Sequence, residues 1–128
     1  MIHILLIDDS SFQRRILLGM LQRLGYEVDT ACNGQEALEK IQAHLPDCLL
    51  LDILMPIMDG VQLLEHLKSQ EVTLPIIVLS ADVQESLKDR CLELGATTFL
   101  NKPLKQDQLQ RVLQNILPAL QPMEVPCT

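Results

Sequence analysis

Five side chains in this sequence stand where they could do chemistry together: Asp8, Asp9, Asp52, Ser80 and Lys102. Each closes or follows a short apolar run. Ile2 to Ile7 ends on Asp8-Asp9, and Cys48 to Leu51 ends on Asp52. Ile76 to Leu79 ends on Ser80, and Thr97 to Leu100 leads into Asn101-Lys102-Pro103. A bare carboxylate at the end of a core strand is expensive, so Asp52 needs a partner or a place at the rim. Gathered at one edge, three carboxylates resist ionising together unless a cation joins them. A hard divalent ion such as Mg²⁺ suits them, since it takes carboxylate oxygens and keeps several waters. One carboxylate can then act as nucleophile toward a phosphoryl group. Such a transfer asks mainly for positioning and charge neutralisation, which the Lys102 ammonium, the Ser80 hydroxyl and the metal would provide. Asp52 is the expected nucleophile, with the acid pair on one side and Ser80 and Lys102 on the other.

The elements that must position these groups follow from periodicity. Ile2 to Ile7 reads as a buried strand. Ser10 or Ser11 can cap a helix in which Ile16, Leu17, Met20, Leu21 and Leu24 recur at helical spacing before Gly25 stops it. Tyr26 to Ala31 reads as a second strand, and Gln35 to Leu45 as a second helix after the Asn33-Gly34 turn. Cys48 to Leu51 is the third strand. Asp59-Gly60 opens a helix carrying Val61, Leu63, Leu64 and Leu67, and Pro75 begins the fourth strand. A fourth helix spans roughly 84–94 up to Gly95. A fifth strand spans Thr97 to Leu100, and a last helix Lys105 to Leu117. Five strand–helix repeats with continuous apolar strands imply an α/β fold, a doubly wound parallel sheet covered on both faces. Ligands of such sheets bind beyond the carboxyl ends of the strands, where strand order reverses. All five chemical groups would then project from that edge. One domain is expected over residues 1–117, with 118–128, punctuated by Pro118, Pro122 and Pro126, as a flexible tail or linker.

Composition excludes several classes of function. The formal net charge is −7, which leaves no basic footprint for nucleic acid or anionic membrane. With no Trp, one Tyr and two Phe, the chain offers no stacking platform for bases or flat rings. Cys32, Cys48, Cys91 and Cys127 are too dispersed for a metal knuckle or redox pair, and free thiols fit a reducing cytoplasm. No apolar run reaches membrane-spanning length, and the N-terminus lacks the basic region and cleavage site of a signal peptide.

Asp8-Asp9, Asp52 with Met55-Pro56 and Asp59-Gly60, Ser80-Ala81, Leu94-Gly95-Ala96 and Lys102-Pro103 together resemble the receiver domain of two-component response regulators. The likeness covers the whole chain except the tail. It implies a flavodoxin-like sheet of strand order 2-1-3-4-5 with five helices. It also implies Mg²⁺ dependence and phosphotransfer from a sensor histidine kinase, or a phosphotransfer protein, onto Asp52. Asp9 and Asp52 would ligate the metal directly, Asp8 directly or through water, and the Leu54 carbonyl would complete the protein ligands. Lys102 would pair with the phosphoryl group, and the peptide before Pro103 would be cis. Ser80 and Phe99 would form a switch that remodels the surface of helix four, strand five and helix five. Output would go to a downstream protein target or a linked output domain, without direct nucleic-acid or membrane contact. The chain would be a monomer or a phosphorylation-dependent homodimer in the cytoplasm. It would not be a turnover enzyme beyond its own phosphorylation and dephosphorylation. Ser80 stands in place of the commoner threonine and Phe99 in place of tyrosine. Leu54 and Asp82 hold the positions that tune phosphoryl lifetime.

Plainer readings exist for each residue alone. Asp8 and Asp9 could simply cap the first helix, and Ser80 a later one. Asp59-Gly60 reads as a helix start, and Met55 and Met58 as packing. His3, His44 and His66 look scattered and without partners. The competing function is an Asp-nucleophile phosphatase of haloacid dehalogenase type. Its nucleophile opens a D-x-D motif after the first strand, where this chain has adjacent Asp8 and Asp9 and no cap insertion. A flavin binder would need a phosphate-cradling loop there, and two carboxylates would repel the phosphate.

Overall fold

The computed structural model describes residues 2–53, 59–81 and 85–117. Along the chain these form β1 (His3–Ile7), α1 (Ser11–Arg23), β2 (Glu27–Ala31), α2 (Gly34–Ala43), β3 (Cys48–Asp52), α3 (Gly60–Ser69), β4 (Ile76–Ser80), α4 (Glu85–Glu93), β5 (Thr98–Asn101) and α5 (Gln106–Ile116). The strands pair in parallel in the order β2-β1-β3-β4-β5. This is the doubly wound, flavodoxin-like order, and the strand sequence reverses between β1 and β3.

Strand alternation divides the apolar residues between two cores. Leu5, Ile7, Leu49, Leu51, Ile76 and Val78 face α2, α3 and α4, packing on Leu38, Leu63, Leu67 and Cys91. Ile4, Leu6, Cys48, Leu50, Ile77 and Leu79 face α1 and α5, packing on Leu17, Leu21, Leu109 and Leu113. Every residue of β3 and β4 is buried. A strand covered on both faces has no solvent side on which to place a polar residue, so it reads as an unbroken apolar run. β2, whose sequence alternates polar and apolar residues, differs from these. At the sheet edge it alternates between exposed and covered residues, with Glu27 and Asp29 outward.

Boundaries differ from the sequence expectation by a residue or two, for local reasons. Tyr26 belongs to the turn rather than to β2, because its N–H donates to the Leu21 carbonyl and closes α1 behind Gly25. Gly25 sits at φ +95°, in the left-handed region open to glycine. α2 stops at Ala43 because His44 is extended. α3 starts under a reciprocal capping box, with Asp59 accepting from the Gln62 amide and Gln62 accepting from the Asp59 amide. The tail expected over 118–128 lies outside the described residues.

Candidate functional site

Backbone pairing fixes the chemical groups at the carboxyl edge. The Asp8 N–H donates to the Ala31 carbonyl, Ile53 to Leu79, and Lys102 to Ser80, at 2.9–3.1 Å. Each of these residues stands within one position of its strand's end or just past it, and the ladder bonds hold the backbone where the strands finish. Asp8, Asp52 and Lys102, far apart in sequence, thereby converge at the reversal between β1 and β3.

The carboxylates of Asp8, Asp9 and Asp52 place one oxygen each within 4.8 Å of one another. Asp8 and Asp52 are nearly covered, at 1% and 7% exposure, while Asp9 opens to solvent. Lys102 reaches across the sheet edge. Its Nζ lies 3.3 Å from Asp8 Oδ2 and 3.4 Å from Asp52 Oδ1, and donates to Gln13 Oε1 at 2.7 Å. One ammonium against three carboxylates leaves two negative charges to be met. A compact set of hard oxygens with a net double charge, one member facing water, matches a divalent cation that retains part of its hydration. The residues present therefore fit Mg²⁺.

Asp8 is also the anchor of α1. Its Oδ1 accepts from the Ser10 amide at 2.9 Å, and its backbone carbonyl accepts from Arg14 Nη1 at 2.8 Å. The helix cap itself is Ser10, whose hydroxyl accepts from the Gln13 amide. Helix anchoring and site chemistry thus share one carboxylate, each using a different oxygen. Ser80 is the buried last residue of β4, at 1% exposure. Phe99 lies in β5 opposite Val78, partly buried against the α2–α4 core. The Lys102–Pro103 peptide is cis. Leu54, Met55, Pro56, Met58 and Asp82 lie outside the described residues.

Two features had little or no sequence signal. His3 and His44 bring their rings to a centroid separation of 5.5 Å at the opposite edge of the sheet, which corrects the reading of them as scattered. Only the strand register and the end of α2 place them together. Gln13 stands in a capping-box pattern, Ser10-x-x-Gln13, which carries no signal for its contact with Lys102. The thiols behave as the apolar runs suggest. Burial in the β3 core, aided by the nearby Asp47 carboxylate, pushes Cys48 up to about 12. Cys91 is also raised by burial, while Cys32 is exposed.

A parallel sheet of this order with an acid cluster and a lysine at its carboxyl edge defines the class. The family model described as the response regulator receiver domain matches residues 4–114. The chain belongs to the response regulator receiver domain family of two-component systems. It is 36% identical over 114 residues to the alkaline phosphatase synthesis transcriptional regulatory protein PhoP of Bacillus subtilis, covering 89% of this chain and 48% of that protein. Among solved structures it is similar to the chemotaxis protein CheY4 of Vibrio cholerae, with a TM-score of 0.86 and 34% identity over 91% of this chain and 99% of that one. It also resembles the receiver domain of a sensor histidine kinase from Pseudomonas aeruginosa, described with a magnesium ion coordinated in the active site cleft. There the TM-score is 0.83 and the identity 31%, over 91% of this chain and 97% of that one. The chain spans less than half the length of the curated relatives it matches. Nothing in these likenesses supports the haloacid dehalogenase reading. Among the described residues no helix is long and apolar enough to cross a membrane.

Proposed function

We propose that this protein is a phospho-accepting signalling receiver in which Asp52 takes a phosphoryl group from a sensor histidine kinase or a phosphotransfer protein. The observation that carries this reading is the position of Lys102 Nζ, within 3.4 Å of both Asp8 and Asp52 beside the Asp9 carboxylate. Asp52 is the buried last residue of β3, its backbone held in register opposite Leu79 of β4. A carboxylate oxygen of Asp52 attacks phosphorus. The new P–O bond forms as the donor's bond to phosphorus breaks, and the electron pair departs with the donor. Lys102 covers one phosphoryl oxygen, and the Ser80 hydroxyl donates to another. Asp8, Asp9 and Asp52, with the Leu54 carbonyl, are the residues that would hold Mg²⁺. Bound there, the ion supplies charge neutralisation and alignment of the phosphoryl oxygens.

The same reading extends to output. Drawing Ser80 toward the phosphoryl group vacates space that the Phe99 ring can enter, which shifts a two-state equilibrium at the α4-β5-α5 surface. That surface would engage a protein target or a linked output domain, in a cytoplasmic monomer or a phosphorylation-dependent homodimer. Residues 1–117 form the receiver in this reading, and 118–128 a tail or linker. No turnover of external substrate and no direct nucleic-acid contact are expected.

The test is incubation with acetyl phosphate and Mg²⁺, followed by intact mass. One phosphoryl adduct is expected, lost on treatment with hydroxylamine and absent in Asp52→Asn. No adduct on the unaltered protein, or an adduct that persists in Asp52→Asn, would defeat the assignment.

A further inference from the structure

α1 and α3 each start with a capping residue followed three positions on by glutamine, and the two glutamines end differently. In Asp59-x-x-Gln62 the glutamine side chain returns to the N-cap amide at 3.0 Å, completing the box. In Ser10-x-x-Gln13 the corresponding amide, that of Ser10, is already taken by Asp8 Oδ1 at 2.9 Å. The Gln13 carboxamide therefore has no cap to close. It turns instead to the site, where its Oε1 accepts from Lys102 Nζ at 2.7 Å. This is the shortest of the three contacts that Lys102 makes there. Those to Asp8 and Asp52, at 3.3 and 3.4 Å, are longer than the 2.7–2.9 Å of a well-formed ammonium–carboxylate bond.

We infer that Gln13 is a positioning residue for Lys102, holding the ammonium back from full contact with Asp8 and Asp52. The inference rests on the proposed phospho-acceptor reading of Asp52. The geometry explains why a neutral acceptor is needed. On its outer side Lys102 borders a groove of about 340 Å³ walled by Phe12, Ile16, Met20 and Leu104. The side chains of that wall are apolar, so an ammonium deprived of Gln13 is drawn inward to the two carboxylates. A tighter pair with Asp52 covers the oxygen that must attack phosphorus. It also moves the ammonium from the place where the phosphoryl oxygens arrive. With Gln13 in place, one N–H is anchored outward while the others point into the cleft. Gln13 is exposed on the first turn of α1, so replacing it leaves the core intact.

The experiment uses the full chain with acetyl phosphate and Mg²⁺, following adduct formation by intact mass over time. Gln13→Met keeps the length and the groove wall but removes the acceptor. It should slow phosphorylation about three- to tenfold, the range expected for losing one partly exposed hydrogen bond to a charged group. In a Lys102→Ala background, where the reaction is followed over longer times, Gln13→Met should cause no further slowing. Equal slowing in both backgrounds, or no slowing in either, would overturn the positioning role while leaving Asp52 as acceptor. A parent protein that takes no phosphoryl group at all would overturn both.

Discussion

Glu36 has two functions in the turn between β2 and α2. Its Oε1 accepts from the Cys32 amide at 2.7 Å, and its other oxygen lies 3.8 Å from Lys40. The Cys32 amide, then its thiol, holds the Glu36 carboxyl below the usual range. In return, the hydrogen bond with Glu36 pushes the Cys32 thiol up. A carboxyl lowered in the folded state stabilises the fold above its unfolded value and stops doing so as pH falls through the lowered one. Glu36→Gln should therefore lose stability at neutral pH but not below the carboxylate range. Because the Glu36 side chain is only partly covered, the difference should stay under about 0.5–1 kcal/mol in urea titrations. In the same variant Cys32 should react faster with iodoacetamide at pH 8, because its thiolate is no longer disfavoured. An unchanged labelling rate would show that the carboxylate does not govern the thiol.

At the scale of elements, two glycines in helices should respond in opposite directions. A Cβ on Gly60 would stand 2.7 Å from Ile53 Cδ1 and 2.8 Å from Ile53 Cα. The start of α3 thus presses on the backbone immediately after Asp52, and the Gly60 N–H donates to the Ile53 carbonyl at 2.9 Å. Gly60→Ala should cost about 1–3 kcal/mol through overpacking. It should also slow the proposed phosphorylation of Asp52, since the backbone that must yield adjoins that residue. A Cβ on Gly19, inside α1, would meet only the flexible tip of Arg23 at 3.3 Å. Gly19→Ala should stabilise by about 0.5–1 kcal/mol, the ordinary gain of alanine over glycine in a helix. Chemical denaturation of both variants tests the contrast, and a neutral Gly60→Ala would disprove the close approach.

For the molecule as a whole, the acid cleft is a local concentration of charge that folding creates. The unfolded chain separates Asp8 and Asp9 from Asp52, so a divalent ion that needs all three binds the folded state preferentially. Mg²⁺ at ten times its dissociation constant should then stabilise the protein by about 1.4 kcal/mol. Thermal melts at matched ionic strength should show Tm rising by several degrees in Mg²⁺ over Na⁺. The rise should vanish in Asp9→Asn. A rise that survives there would place the ion elsewhere.

Most of this architecture can be read from one dimension. Unbroken apolar runs such as Cys48 to Leu51 mark strands covered on both faces, and residues ending parallel strands must share an edge. Asp8, Asp9, Asp52, Ser80 and Lys102 could therefore be grouped before any coordinates, because parallel pairing turns strand ends into neighbours. Local chemistry likewise marked the starts of α1 and α3. Tertiary structure alone decided the assignments that depend on competition for a single partner. Gln13 and Gln62 occupy equivalent places in equivalent patterns, yet one caps its helix and the other holds Lys102. The difference is that Asp8, placed by β1, reaches the Ser10 amide first. Sequence states which groups can form hydrogen bonds. Which bond forms depends on the distances between elements, and those exist only once the sheet has closed.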